Sequence, residues 1–214
     1  MSLGKKVAIC EQLTDPTPGR GIVERDVIRV VSAGTLIEEN LLDEKANNYI
    51  ACAYKEGDVC ALAWADITTG EFNTGTCSGG SCIDLSLEYL GKISPAEIIC
   101  NDEFLLHSKE HPLLRALPPF SCYVPWAFAL RHAEKNILEQ LNCKTLEPFG
   151  IAREQAAISA CGALLEYLKE TQKHALKIID SVKFVNENKT MMLDNSAIRN
   201  LELVRTLGDG KKKG

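Results

Sequence analysis

The stretch VCALAWADITTGEF, residues 59–72, carries an apolar run into one carboxylate, Asp66, and then into two threonines and a glycine. A carboxylate delivered by a buried strand to the lip of a turn can hold the first ion of a metal-dependent nuclease. Two-metal chemistry needs several such groups around ions about 3.5–4 Å apart. Asp66 has few companions in the sequence, since Asp84 falls at a helix start and Asp102 in a turn. A turn accounts for the same residues without catalysis, because Asp and Thr side chains bond local backbone amides and Gly70 supplies a positive φ. The turn is the expectation, and a nuclease using Asp66 is the alternative.

Other residues could bind metal or react. Cys77 and Cys82 flank Ser-Gly-Gly, a spacing within reach of zinc, but no second pair follows, and a structural zinc site needs four ligands. His107 and His111 lie four apart with Pro112 directly after, which reads as a solvated helix end. Nine cysteines make an odd count with no secretory signal before them, so reduced thiols in a cytoplasmic protein are expected. None sits in a recognisable electropositive helix-start setting, and the thiols read as small buried hydrophobes. A zinc- or thiol-based regulator is a third reading. The glycines between 75 and 80 lack the lysine and the following helix of a phosphate-cradling loop.

The elements that must position these residues follow from pattern. The 214 residues, 45% hydrophobic and 25% charged, suffice for a real core. A net charge of −5 argues against a chain whose main grip is on nucleic acid, where a basic excess is usual. No apolar run approaches the roughly 20 residues of a membrane span. Lys5 to Cys10 reads as a strand, the Pro/Gly-rich TDPTPGRG as a turn, and GIVERDVIRVVSAGT as a second strand with Arg25, Val27, Arg29 and Val31 in phase. LIEENLLDEKANN reads as a linker.

YIACAYKEG, VCALAWADI and EFNTGTCS then form an antiparallel meander. A helix capped by Asp84 and ended at Ser94-Pro95 leads to a short buried strand, AEIIC. FLLHSKEHPLLRAL is a helix broken at Pro112, PFSCYVPWAF an edge strand, and AEKNILEQL a short amphipathic helix. From Arg153 to Leu176 a long helix places Ala157, Cys161, Leu164, Leu165 and Leu168 on one face and Glu166, Lys169, Glu170 and Lys173 on the other. That helix is expected to pack by one side only. SVKFVNENKTMMLD is a strand-turn segment, and NSAIRNLELVRTL begins another helix. The opening MSL reads as an expression remnant, and both ends read as cuts through a longer protein.

The blocks VAICEQLTDPTPGRGIVERDVIRVVSAGTLIEENLLDEKANNYIA, DITTGEF, SPAEII, PFGI, GALLEYLKETQ and LDNSAIRNLEL resemble, in order and spacing, the bacterial MutS family of DNA mismatch repair proteins. The likeness covers nearly the whole chain. One departure stands at Ala197-Ile198, where the family usually has Thr-Arg, which leaves any polar role there in doubt.

The resemblance implies an α/β fold with a ribonuclease-H-like connector domain, a mixed sheet flanked by helices, between partial domains. Residues 1–32 would be the tail of the mismatch-binding domain, 33–181 the connector, and 182–214 the start of the core or lever domain. The mismatch wedge and the ATPase would lie outside the chain, so no catalytic residue, metal or cofactor is expected in it. ATP and Mg²⁺ would belong to the full-length parent, a homodimer on mismatched double-stranded DNA. Lys5, Lys6, Arg20, Arg25 and Arg29 would contact DNA phosphates. The partner MutL would dock on the late helices, at Lys135, Asn136, Lys169, Glu170 and Lys173. The expected role is mechanical coupling between mismatch reading and the ATPase.

Overall fold

The computed structural model describes residues 7–12, 25–31, 48–172 and 175–185. The expectations for Lys5, Lys6, Arg20, Lys173, the linker and the segment after 185 lie outside these residues. Near the start, β1 (Val7–Gln12) pairs antiparallel with β2 (Arg25–Val31). A register shift between Ile9 and Cys10 sets Arg29 opposite Ile9 but Val27 opposite Cys10 and Arg25 opposite Gln12.

The main body is a six-stranded mixed sheet in the order β7-β6-β3-β4-β5-β8. Its centre is the expected meander: β3 (Ile50–Glu56), β4 (Val59–Asp66) and β5 (Glu71–Ser78), all antiparallel. The helix α1 (Cys82–Ile93) crosses one face and returns the chain to β6 (Glu97–Cys100), parallel to β3. Its N-cap is Ser81, three residues before the expected Asp84, and Ser94 ends it in the left-handed region. Then come α2 (Asp102–Ser108), a 3-10 turn over Pro112–Ala116, and β7 (Phe120–Cys122), an edge strand as Pro125 implied. A 3-10 turn over Pro125–Phe128 leads to α3 (Leu130–Gln140) and α4 (Gln155–Thr171). A further 3-10 turn over Ala175–Ile178 precedes β8 (Lys183–Phe184), which joins the same sheet parallel to β5.

Alternation along the central strands builds two cores, because successive side chains leave opposite faces. Ile50, Cys52 and Tyr54 with Ala61, Ala63 and Ala65 face one, and Ala51 and Ala53 with Cys60, Leu62 and Trp64 face the other. The row of alanines on β4 leaves room for α4 to lie close. The helix α4 packs on β3 and β4, and α3 covers its outer side, with Gly162 against Ala133.

The expected one-sided packing of α4 is therefore corrected. Every residue from Ala156 to Leu165 is buried, as are Tyr167, Leu168 and Thr171, and only Glu166, Lys169 and Glu170 reach outward from its second half. A buried bond adds to this packing, from the Tyr167 hydroxyl to Glu97 Oε1 at 2.6 Å.

Candidate functional site

Asp66 ends β4, and its side chain is 1% exposed. Oδ1 accepts from Thr68 N at 2.8 Å and from Thr68 Oγ1 at 2.6 Å, and Oδ2 accepts from Asn48 N at 3.0 Å. The turn closes by Gly70 N donating to Asp66 O at 2.9 Å. Gly70 has φ +80°, and a Cβ there would meet Ile178 O at 2.5 Å, so both conformation and close approach demand glycine. The carboxylate across the ladder, Glu71, accepts from Tyr49 Oη at 2.6 Å and Asn73 Nδ2 at 2.8 Å. Asp66 is thus a turn-forming acceptor, and among the described residues no group of three or more His, Cys, Asp or Glu could hold a metal ion.

The histidines also have local structural partners. His107 Nδ1 lies 2.8 Å from Glu103 O, while His111 caps the following 3-10 turn, its Nδ1 accepting from Leu113 N at 3.2 Å. His111 Nε2 sits 3.1 Å from Asp84 Oδ1. Cys77 and Cys82 gather with Cys60, as described further below.

The face shared by α3 and α4 is a connected polar surface. The Lys135 side chain is 75% exposed and forms a weak ion pair with Glu139 at 3.7 Å, one turn on. Asn136, expected beside it on the open face, points inward and is 3% exposed. A helix repeats every 3.6 residues, so neighbours point about 100° apart, and the buried side of α3 holds Ala133, Asn136 and Ile137. Asn136 Nδ2 donates to Gly162 O at 3.0 Å and to Glu166 Oε2 at 3.1 Å, and its Oδ1 accepts from Lys169 Nζ. It is a strut between the helices. Lys169 is half-buried over it, and Glu170 is exposed.

Two residues of this face, His132 and Trp126, escaped sequence reasoning, which places Glu166 only on the helix's polar side. Glu166 Oε2 also lies 3.1 Å from His132 Nε2, and the His132 ring packs edge-on against Trp126 with centroids 4.9 Å apart. Trp126, 50% exposed, stands on the Pro125–Phe128 turn, which packs on both α3 and α4. A tryptophan directly after a proline in a non-helical stretch is the signal that could have found it. Nearby, the Tyr123 hydroxyl is buried close to the Glu170 carboxylate. Burial, followed by the Glu170 carboxylate, pushes its pKa well above the usual tyrosine value. An exposed aromatic anchor rimmed by paired charges has the anatomy of a protein-binding surface.

No helix among the described residues is long and apolar enough to cross a membrane. The family model for MutS domain II matches residues 48–180, and that for MutS domain I matches residues 1–40. The DNA mismatch repair protein MutS of Alkaliphilus oremlandii is 38% identical over 218 residues, covering 100% of this chain and 25% of that protein. The proteins of the same name from Caldanaerobacter subterraneus and Dehalococcoides mccartyi are each 38% identical, over 99% of this chain and 24% of their own length. The chain spans about a quarter of the curated relatives it matches.

Proposed function

This chain belongs to the MutS family of DNA mismatch repair proteins, matching its domain I over residues 1–40 and its domain II over residues 48–180, and from that premise we propose that its α3–α4 face docks the partner MutL. Domain II is the family's connector, with a ribonuclease-H-like fold. The observation that supports the proposal is the chain of contacts that links exposed Trp126 through His132 and Glu166 to the buried strut Asn136 and so to Lys169. It joins a turn and two helices of a body packed on both faces of one sheet, so a force applied there moves the body as a unit.

In this reading the connector couples mismatch recognition to the ATPase of the full-length homodimer. It does so by rigid-body movement between two arrangements, each biased by one ligand. The chain performs no chemistry itself; ATP and Mg²⁺ act elsewhere in the cytoplasmic full-length protein. Lys135, Lys169, Glu170 and Lys173 form the charged rim that sets on-rate and specificity, Asn136 holds the rim's geometry, and Trp126 is the central anchor. Lys5, Lys6, Arg20, Arg25 and Arg29 contribute phosphate contacts, which add salt dependence rather than sequence readout.

The test is Glu170→Cys in the full-length protein, crosslinked to MutL in the presence of mismatched DNA and ATP. A crosslink that needs both ligands is expected. None in the ATP-bound state would remove the assignment.

A further inference from the structure

Away from the docking face, three sulfurs meet between β4, β5 and α1. Cys60 on β4 stands directly opposite Cys77 on β5, and Cys60 Sγ donates to Cys82 Sγ at 3.1 Å. Cys77 Sγ is 3.3 Å from Cys82 O and 3.2 Å from Ser86 Oγ, and it also contacts Cys60. Sequence reasoning found no cysteine in a recognisable electropositive helix-start setting and capped this helix at Asp84, and the structure makes Cys82 the first residue of α1. The reason it was missed is that the helix begins at Ser81-Cys82 and not at Asp84.

From these contacts we propose that Cys82 and Cys60 form a peroxide-reactive thiol pair that closes to an intramolecular disulfide. Cys60 is fully buried, while Cys82, 3% exposed, stands in the wall of an open groove of about 520 Å³ bordered also by Lys55, Asp84, His107 and His111, and this groove is the route by which a small peroxide reaches it. Movement comes from the loop before the helix. Gly79 and Gly80 have open space around them, Gly79 sits at φ +102°, and Ser81 makes no side-chain capping bond. A shift of about 1 Å brings the two sulfurs from hydrogen-bond contact to the roughly 2.05 Å of a disulfide.

The steps balance. A peroxide oxidises the Cys82 sulfur, its O–O bond breaking and an S–O bond forming, to give a sulfenic acid and one water when the oxidant is hydrogen peroxide. The Cys60 sulfur then attacks the Cys82 sulfur, the S–S bond forms, the S–O bond breaks, and the hydroxyl leaves with the Cys60 proton as a second water. Cys60 holds that proton firmly until then, because its contact with Cys77, then burial and its bond to Cys82, push its pKa well up. The groove reaches Cys82 and not the fully buried Cys60, which makes Cys82 the sulfur first oxidised and Cys60 the resolving partner.

The exposed thiols Cys10 and Cys122 are replaced by serine to remove side reactions. The full chain is then treated with stoichiometric hydrogen peroxide, alkylated in denaturant, cleaved before aspartate and mapped by fragmentation. The expected result is loss of two alkylatable thiols per chain and a Cys60–Cys82 linkage that dithiothreitol reverses. Cys77→Ser keeps the linkage, while Cys60→Ser leaves Cys82 as a trapped sulfenic acid. Full retention of all alkylatable thiols, a Cys60–Cys77 linkage instead, or over-oxidation of Cys82 without pairing would each overturn the proposal.

Discussion

Gly162 of α4 lies against Ala133 of α3 so closely that a Cβ on the glycine would come within 2.3 Å of both the Cα and the Cβ of Ala133. Backbone meets backbone here, and Asn136 uses the proximity to reach the Gly162 carbonyl at 3.0 Å. Gly162→Ala therefore gains up to about 1 kcal/mol of helix propensity but forces the helices apart, an overpacking cost of about 1–3 kcal/mol or more. The expected net effect is destabilisation, read as a lower urea midpoint. A more stable protein would mean the helices can separate freely.

Asp66→Asn exchanges one acceptor oxygen for an amide donor in a place where all three partners are donors. Leaving a buried N–H unpaired costs about 1–3 kcal/mol, so the variant should unfold at lower denaturant with its slope unchanged. The same pair of proteins serves for a cleavage assay with Mg²⁺ or Mn²⁺. Metal-dependent cutting by the parent that vanishes in the variant would reinstate the nuclease reading.

Alkaline pH should destabilise the fold in a defined window. Burial pushes the Tyr54 phenol up to about 12, with Glu56 next in effect, and burial pushes the Cys161 thiol up to about 12. Both groups keep their protons in the folded chain after the unfolded chain has lost them. Their stabilisation is thus complete below the unfolded values of 9.0 and 10.0 and disappears as pH rises towards 12. Denaturation midpoints taken from pH 8 to 11 should fall, and Cys161→Ala should flatten the fall. An unchanged midpoint across that range would contradict the burial of these groups.

Trp126→Ala removes a half-exposed ring that packs edge-on against His132. Stability should change little, whereas affinity of the full-length protein for MutL should drop by roughly 30-fold or more, the size of a hot-spot loss of about 2 kcal/mol. Calorimetric unfolding and a binding titration separate the two effects. Unchanged affinity would take the centre out of the proposed surface.

Much of the main sheet was legible in the sequence, and for a local reason. The meander announces itself by short turns such as Thr68-Thr69-Gly70, AEIIC by its apolar brevity, and β7 as an edge by Pro125. The α4 helix was misread because periodicity reports sidedness only when the second side meets water. Ala160, Gly162 and Ala163 are small enough to sit against either a sheet or a helix, and they carry no pattern that tells a covered side from an exposed one.

By itself, then, the sequence determined the kin of this chain, the order of its elements, and the turn chemistry of Asp66, since these depend on residues adjacent along the backbone. Only the tertiary structure decided that Asn136 faces inward, that β8 completes the sheet beside β5, and that Cys60 touches Cys82. Such contacts join residues far apart along the chain, and helix phase, strand register and packing distance set them together.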